Sequence, residues 1–96
     1  LYTPADFARF LQRGAVDIIQ PDLRRAGGPT ALLQIGLMAD AFRIPYASHG
    51  GGPEQLNLMA CLPNARYLET GLIGPDSPLK LVDGFVQIPA GAGFAW

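Results

Sequence analysis

Histidine, cysteine, lysine and tryptophan each occur once in these 96 residues, as His49, Cys61, Lys80 and Trp96. A single cysteine cannot close an internal disulfide, which fits a reducing cytoplasmic setting. Cys61 falls in an apolar helical pattern and reads as a packed thiol rather than a nucleophile. The paired short spacing of a typical zinc motif is missing, so metal ligation by the one histidine and nearby carboxylates is the weaker reading. Charge is sparse as well: 16% of residues are charged and the net charge is −1. The scattered Lys and Arg side chains form no stripe, so there is no electrostatic footprint for nucleic acid. No apolar run approaches the roughly 18 residues that a spanning helix requires, and no signal-peptide pattern opens the chain.

What the chain has in quantity is apolar residues and turn formers: 49% hydrophobic, with 12 Gly and 9 Pro. Their order is regular. Thr3-Pro4-Ala5-Asp6 offers a cap, a proline for the first helical position and an acid for the positive helix end, and Phe7, Phe10 and Leu11 follow at helical spacing to Gly14. A helix is predicted over residues 4–13. The near-continuous apolar run Ala15 to Gln20, bounded by Gly14 and Pro21, suits a parallel strand covered on both faces. Gly27-Gly28-Pro29 repeats the entry signal, and Leu32, Ile35, Ala39 and Phe42 carry a second helix to Arg43. Ile44 to Ser48 is strand-length, with Pro45 near its start. Pro53 opens a third helix with Leu56, Met59 and Ala60, closed by Pro63-Asn64 before a short strand Arg66 to Leu68. From Gly71 onward prolines and glycines break the pattern, and Val82-Asp83-Gly84-Phe85 predicts a tight turn between short extended pieces. Tyr46, Tyr67 and Phe85 read as packing residues.

Strand then helix, repeated, is the pattern of parallel βα units, and in that architecture reactive groups gather where strands end. Asp22, His49 and Glu69 all stand at that address. Right-handed crossovers make the Asp22 and His49 strands neighbours, so their end side chains come within hydrogen-bond reach. A carboxylate bonded to one imidazole nitrogen fixes the tautomer and stabilises the imidazolium formed when the other nitrogen takes a proton, which makes a general base from two residues. Each residue alone also has a plainer reading: a histidine meeting water, or an aspartate capping a local turn. Gly50 and Gly51 could let a substrate carboxylate approach backbone amides near the helix at Pro53. Arg25, like Arg24, either reaches an anionic substrate or is a solvated loop charge, and Glu54 suits the helix dipole.

The stretches Asp17-Ile-Ile-Gln-Pro-Asp22-Leu-Arg-Arg-Ala-Gly-Gly28, Ile44-Pro-Tyr-Ala-Ser-His49 and Pro63-Asn-Ala-Arg-Tyr-Leu-Glu69 resemble the last part of the enolase superfamily barrel, specifically its mandelate racemase subgroup. The resemblance spans essentially the whole chain. It implies the C-terminal portion of an α/β (β/α)7β TIM-like barrel over residues 1–71, with 72–96 returning toward an N-terminal capping domain. It also implies that Asp22 and His49 form the catalytic dyad, and that Glu69 is a protonated hydrogen-bond donor near the developing charge. The implied cofactor is Mg²⁺, with its carboxylate ligands on earlier strands upstream of Leu1 and none in this chain. The lysine base of other branches has no counterpart, since Lys80 lies in the tail. The implied activity is dehydration of a sugar acid, with racemisation of a 2-hydroxy acid as the alternative, in a full-length protein that forms homo-oligomers.

Two other classes fit the bare residues: a catalytically inert α/β binding domain, and a different barrel enzyme in which His49 is a metal ligand. Three βα units cannot close a barrel of roughly 250 residues, so the chain reads as a fragment. Residues 1–96 in isolation are expected to bind metal poorly and to be inactive, because the dyad then lacks its main electrostatic partner. Measurable exchange of a substrate α-proton by the isolated chain in D2O would contradict this.

Overall fold

The computed structural model describes residues 1–71, 74–77, 79–91 and 93. Trp96 and the end of the predicted tail lie outside them. Helix α1 (Pro4–Gln12) starts as its sequence dictates: the Thr3 hydroxyl accepts from the Asp6 N–H, and the Asp6 carboxylate accepts from the N–H of Thr3 in return. The backbone N–H groups of Thr3 and Tyr2, both donated to this carboxylate, hold the Asp6 carboxyl below its ordinary value. Its end is closed by two bonds, Gly14 N–H to the Leu11 carbonyl and Ala15 N–H to that of Phe10. Phe7 and Leu11 are buried, whereas Phe10 is exposed.

Helix α2 (Pro29–Ala41) buries Leu32, Ile35, Gly36 and Ala39. It stops two residues short of the predicted Arg43, because Arg43 takes a left-handed conformation (φ 59°) and passes its N–H to the Asp40 carbonyl. Phe42 therefore leaves the apolar face and is exposed. Helix α3 (Pro53–Ala60) buries Gln55, Leu56, Leu58 and Met59. Cys61, predicted to pack, is exposed at the C-cap, as is Ala60 just before it, because the turn into Pro63 points both outward. The core is one cluster in which Phe7, Leu11, Leu32, Ile35, Tyr46, Leu58 and Leu62 meet.

Strands β1 (Tyr46–Ala47) and β2 (Ala65–Tyr67) pair in parallel, with Tyr46 opposite Ala65 and Ala47 opposite Tyr67. β1 is shorter than the predicted Ile44 to Ser48, whereas β2 keeps its predicted length and begins one residue earlier. The expected strand Ala15 to Gln20 is not a strand: it touches β1 through a single parallel bridge, Ile19 to Tyr46. The reason is proline. Two rungs form here, from Ile19 N–H to the Pro45 carbonyl and from Ala47 N–H to the Ile19 carbonyl. The next rung on each side would have to be donated by Pro45 and Pro21, neither of which has an N–H. One longer bond, His49 N–H to the Pro21 carbonyl at 3.4 Å, lies beyond the gap. The strand order is nonetheless the one expected of successive βα units, with β1 between the Ile19 segment and β2.

Strands β3 (Leu81–Val82) and β4 (Phe85–Val86) form a separate antiparallel hairpin. Its two-residue turn has positive φ at both positions, 51° at Asp83 and 81° at Gly84, which matches the right-handed twist of a tight hairpin. Phe85 and Tyr67, read as packing residues, are 74% and 62% exposed, while Tyr46 is fully buried as expected.

One buried side chain ties the layers together. Asn64 donates its amide to the carbonyls of Gly36 in α2 and Ile44 before β1, at 3.0 and 2.9 Å. Asn64→Ala is expected to destabilise the protein by about 1–3 kcal/mol, because the Gly36 and Ile44 carbonyls each lose a hydrogen bond from a buried side chain. Urea unfolding of the variant against wild type measures it.

Candidate active site

The two rungs at Ile19 and the β1–β2 pairing bring three chain ends to one edge. His49 follows β1, Glu69 follows β2, and Asp22 follows the Ile19 bridge. The Asp22 Oδ2 lies 2.8 Å from His49 Nδ1. Its other oxygen, Oδ1, accepts the backbone N–H groups of Arg24 and Arg25 at 2.8 and 2.9 Å. The Arg25 N–H and the His49 ring together hold the Asp22 carboxyl below its ordinary value of 3.8. An ionised Asp22 favours the tautomer with its proton on Nδ1, which leaves the Nε2 lone pair to take a proton. The His49 side chain is 49% exposed and that of Asp22 25%, so the imidazole can be reached while its partner is more shielded.

His49 is held from behind as well. Its carbonyl accepts the Gln55 side-chain amide at 3.5 Å, and Gln55 Oε1 accepts the hydroxyl of buried Tyr46 at 3.2 Å. Burial pushes the Tyr46 phenol well above its ordinary value, so it stays a donor.

Glu69 is anchored at both ends of its residue. Its N–H donates to Ser48 Oγ at 2.9 Å, and the same hydroxyl donates to the Glu69 carbonyl at 3.4 Å. Its Oε2 accepts from Gln20 Nε2 and from the Gly50 N–H, both at 3.0 Å. Gln20 and Ser48 went unnoticed in the sequence. Their only signal is position: Gln20 stands two residues before Asp22, and Ser48 directly before His49.

A cleft of about 280 Å³ opens beside the dyad, walled by Asp22, Arg24, His49, the three glycines 50–52 and Glu54 among others. Arg24 lines it, whereas Arg25 does not, and Glu69 is not among its walls. Gly50 is engaged through its N–H. Gly51 has no room for a side chain, since a Cβ would stand 2.6 Å from the Glu69 carbonyl oxygen and 2.5 Å from Thr70 Cβ.

Among the described residues no three His, Cys, Asp or Glu side chains converge to hold a metal ion. Both oxygens of Asp22 and one of Glu69 are already taken by N–H donors. These residues therefore do not fit as the ligand set of a divalent cation.

With this geometry in view, the relatives are informative. Residues 1–95 match the family model described as enolase C-terminal domain-like. The chain is 43% identical over 63 residues to a D-galactonate dehydratase of Ralstonia pickettii, covering 65% of this chain and 16% of that protein. It is 31% identical to a D-gluconate dehydratase of Thermoproteus tenax, covering 97% of this chain and 21% of that one. A solved enolase from Bradyrhizobium, complexed with magnesium and mandelic acid, is 33% identical with a TM-score of 0.74, over 93% of this chain and 26% of that structure. The chain belongs to the enolase superfamily, in the barrel domain of its mandelate racemase branch. It spans about a fifth of the length of the two dehydratases.

Because Asp22 has a depressed pKa when folded, its contribution to stability is present above the unfolded value near 3.8 and is lost as pH falls through the folded value. Asp22→Ala should therefore lower the urea midpoint at neutral pH, with the gap to wild type closing as the solution is taken below about pH 4. A gap that persists unchanged at low pH would show that the carboxylate is not what holds this loop.

Proposed function

We propose that this chain carries the proton-transfer half of an acid-sugar dehydratase. The single observation behind this is the 2.8 Å contact between Asp22 Oδ2 and His49 Nδ1 at the ends of adjacent parallel segments. His49 Nε2 takes the proton from C2, next to the substrate carboxylate, and Asp22 stabilises the imidazolium. The same imidazolium then returns its proton to the C3 hydroxyl as the C3–O bond breaks. Water leaves, and the enol becomes a 2-keto-3-deoxy acid. Glu69 gives a hydrogen bond to the carboxylate oxygen on which charge builds up, using a proton on Oε1, since Oε2 is occupied by N–H donors.

Mg²⁺ bound by other residues of the intact protein would stabilise that same charge. The dehydratase names of two sugar-acid relatives support the reaction class. The mandelic acid in the Bradyrhizobium enolase favours a second reading, racemisation of a 2-hydroxy acid, which shares the first proton transfer. We assign residues 72–96 to the return toward a capping domain, whose surface would cover the exposed Leu81, Val82, Phe85 and Ile88.

In the intact protein, His49→Asn is expected to lower dehydration of D-gluconate and D-galactonate by about 100-fold or more, while Mg²⁺ affinity is unchanged. Formation of the 2-keto-3-deoxy acid and solvent-deuterium uptake at C2 of the recovered substrate are the readouts. Loss of Mg²⁺ affinity would instead make His49 a ligand. Deuterium uptake into mandelate without dehydration of either aldonate would establish the racemase reading.

A further inference from the structure

The geometry points to Gln20 as a positioning residue, whose side-chain amide decides which oxygen of Glu69 is used by the protein and which is left for the substrate. The inference rests on the role given to Glu69 above. The two N–H bonds of Gln20 Nε2 are divided between neighbouring chain ends: one goes to the Ser48 carbonyl and one to Glu69 Oε2, each at 3.0 Å. Ser48 is fully buried and its hydroxyl already grips the Glu69 backbone, so the amide is braced against a fixed point. The Gly50 N–H meets the same Oε2.

An oxygen that receives two N–H groups serves as an acceptor, and Oε1 receives none from the described residues. The final torsion of a glutamate is soft and two-fold, so nothing intrinsic to the side chain distinguishes its two oxygens. The amide breaks that equivalence. Because Ser48 immediately precedes His49, the same group also ties the orientation of Glu69 to the backbone that delivers the base. Asparagine, one methylene shorter, would not span both acceptors. A glutamate would present oxygens where two donors are needed and would set a second anion against Glu69.

The test uses the intact enzyme with D-gluconate, comparing wild type, Gln20→Leu and Gln20→Glu. Leucine keeps the bulk and removes both donors. In both variants kcat should fall by about tenfold to hundredfold while KM moves by less than about threefold, with Gln20→Glu the more severe. Crystal structures of the variants should show the Glu69 carboxyl rotated away from the Gly50 N–H. A purely structural role would lower the melting temperature without this split between kcat and KM. A Glu69 carboxyl that stays on Gly50 in both variants overturns the inference, as does a kcat within about twofold of wild type. If wild type turns over neither aldonate nor mandelate, the proposed reaction fails. The crystal structures alone then decide whether Gln20 places Glu69.

Discussion

The parallel register around Tyr46 and Ala47 is the constraint on which the site depends. Five backbone bonds set it: Ile19 to Pro45, Ala47 to Ile19, Tyr46 to Asn64, Ser48 to Tyr67 and His49 to Pro21. None involves a side chain that does chemistry. A slip of one residue in either pairing would turn every following side chain to the opposite face. Asp22, His49 and Glu69 would then no longer share an edge, although each would keep its own local turn. The buried Asn64 reinforces the same register, because its amide holds the chain entering β1 against α2.

Around that frame the polar groups are arranged with a consistent asymmetry. Asp22 has donors on both oxygens and behaves as a fixed anion, which suits a group that orients and stabilises rather than transfers protons. Among the described residues His49 is bonded through Nδ1 alone, and about half of its side chain is exposed. Glu69 is intermediate, held through one oxygen and, among the described residues, open at the other. Under the proposed reaction each of the three residues keeps only as much freedom as its role needs, and the glycine loop between them contributes a donor without contributing bulk.

The helices were legible because their entry signals are local: proline at the first position of all three, and in α1 a Thr-x-x-Asp cap that forms as written. The dyad was legible because strand ends are recognisable from turn residues, even where the strand itself fails to form. Ala15 to Gln20 misled because its composition is that of a buried strand, while ladder formation depends on which residues carry the N–H at alternate rungs. Two prolines in different segments happen to fall on the same ladder, and that coincidence appears only once the register is known. Gln20 and Ser48 were hidden for a related reason: amides and hydroxyls bond to whatever the fold brings near, and these two act on residues 49 and 21 positions away. Cys61 and Phe42 were misplaced by the exact point at which their helices end.

The crowding at Gly51 has a consequence for anyone who would redesign this protein. Its missing side chain is occupied space: the Glu69 carbonyl and Thr70 fill the volume a methyl group would need. A randomised library across the glycine loop would lose most of its members at this one codon, irrespective of what the neighbouring codons encode. Under the proposed reaction, changes of substrate preference are better sought at Arg24, which borders the cleft.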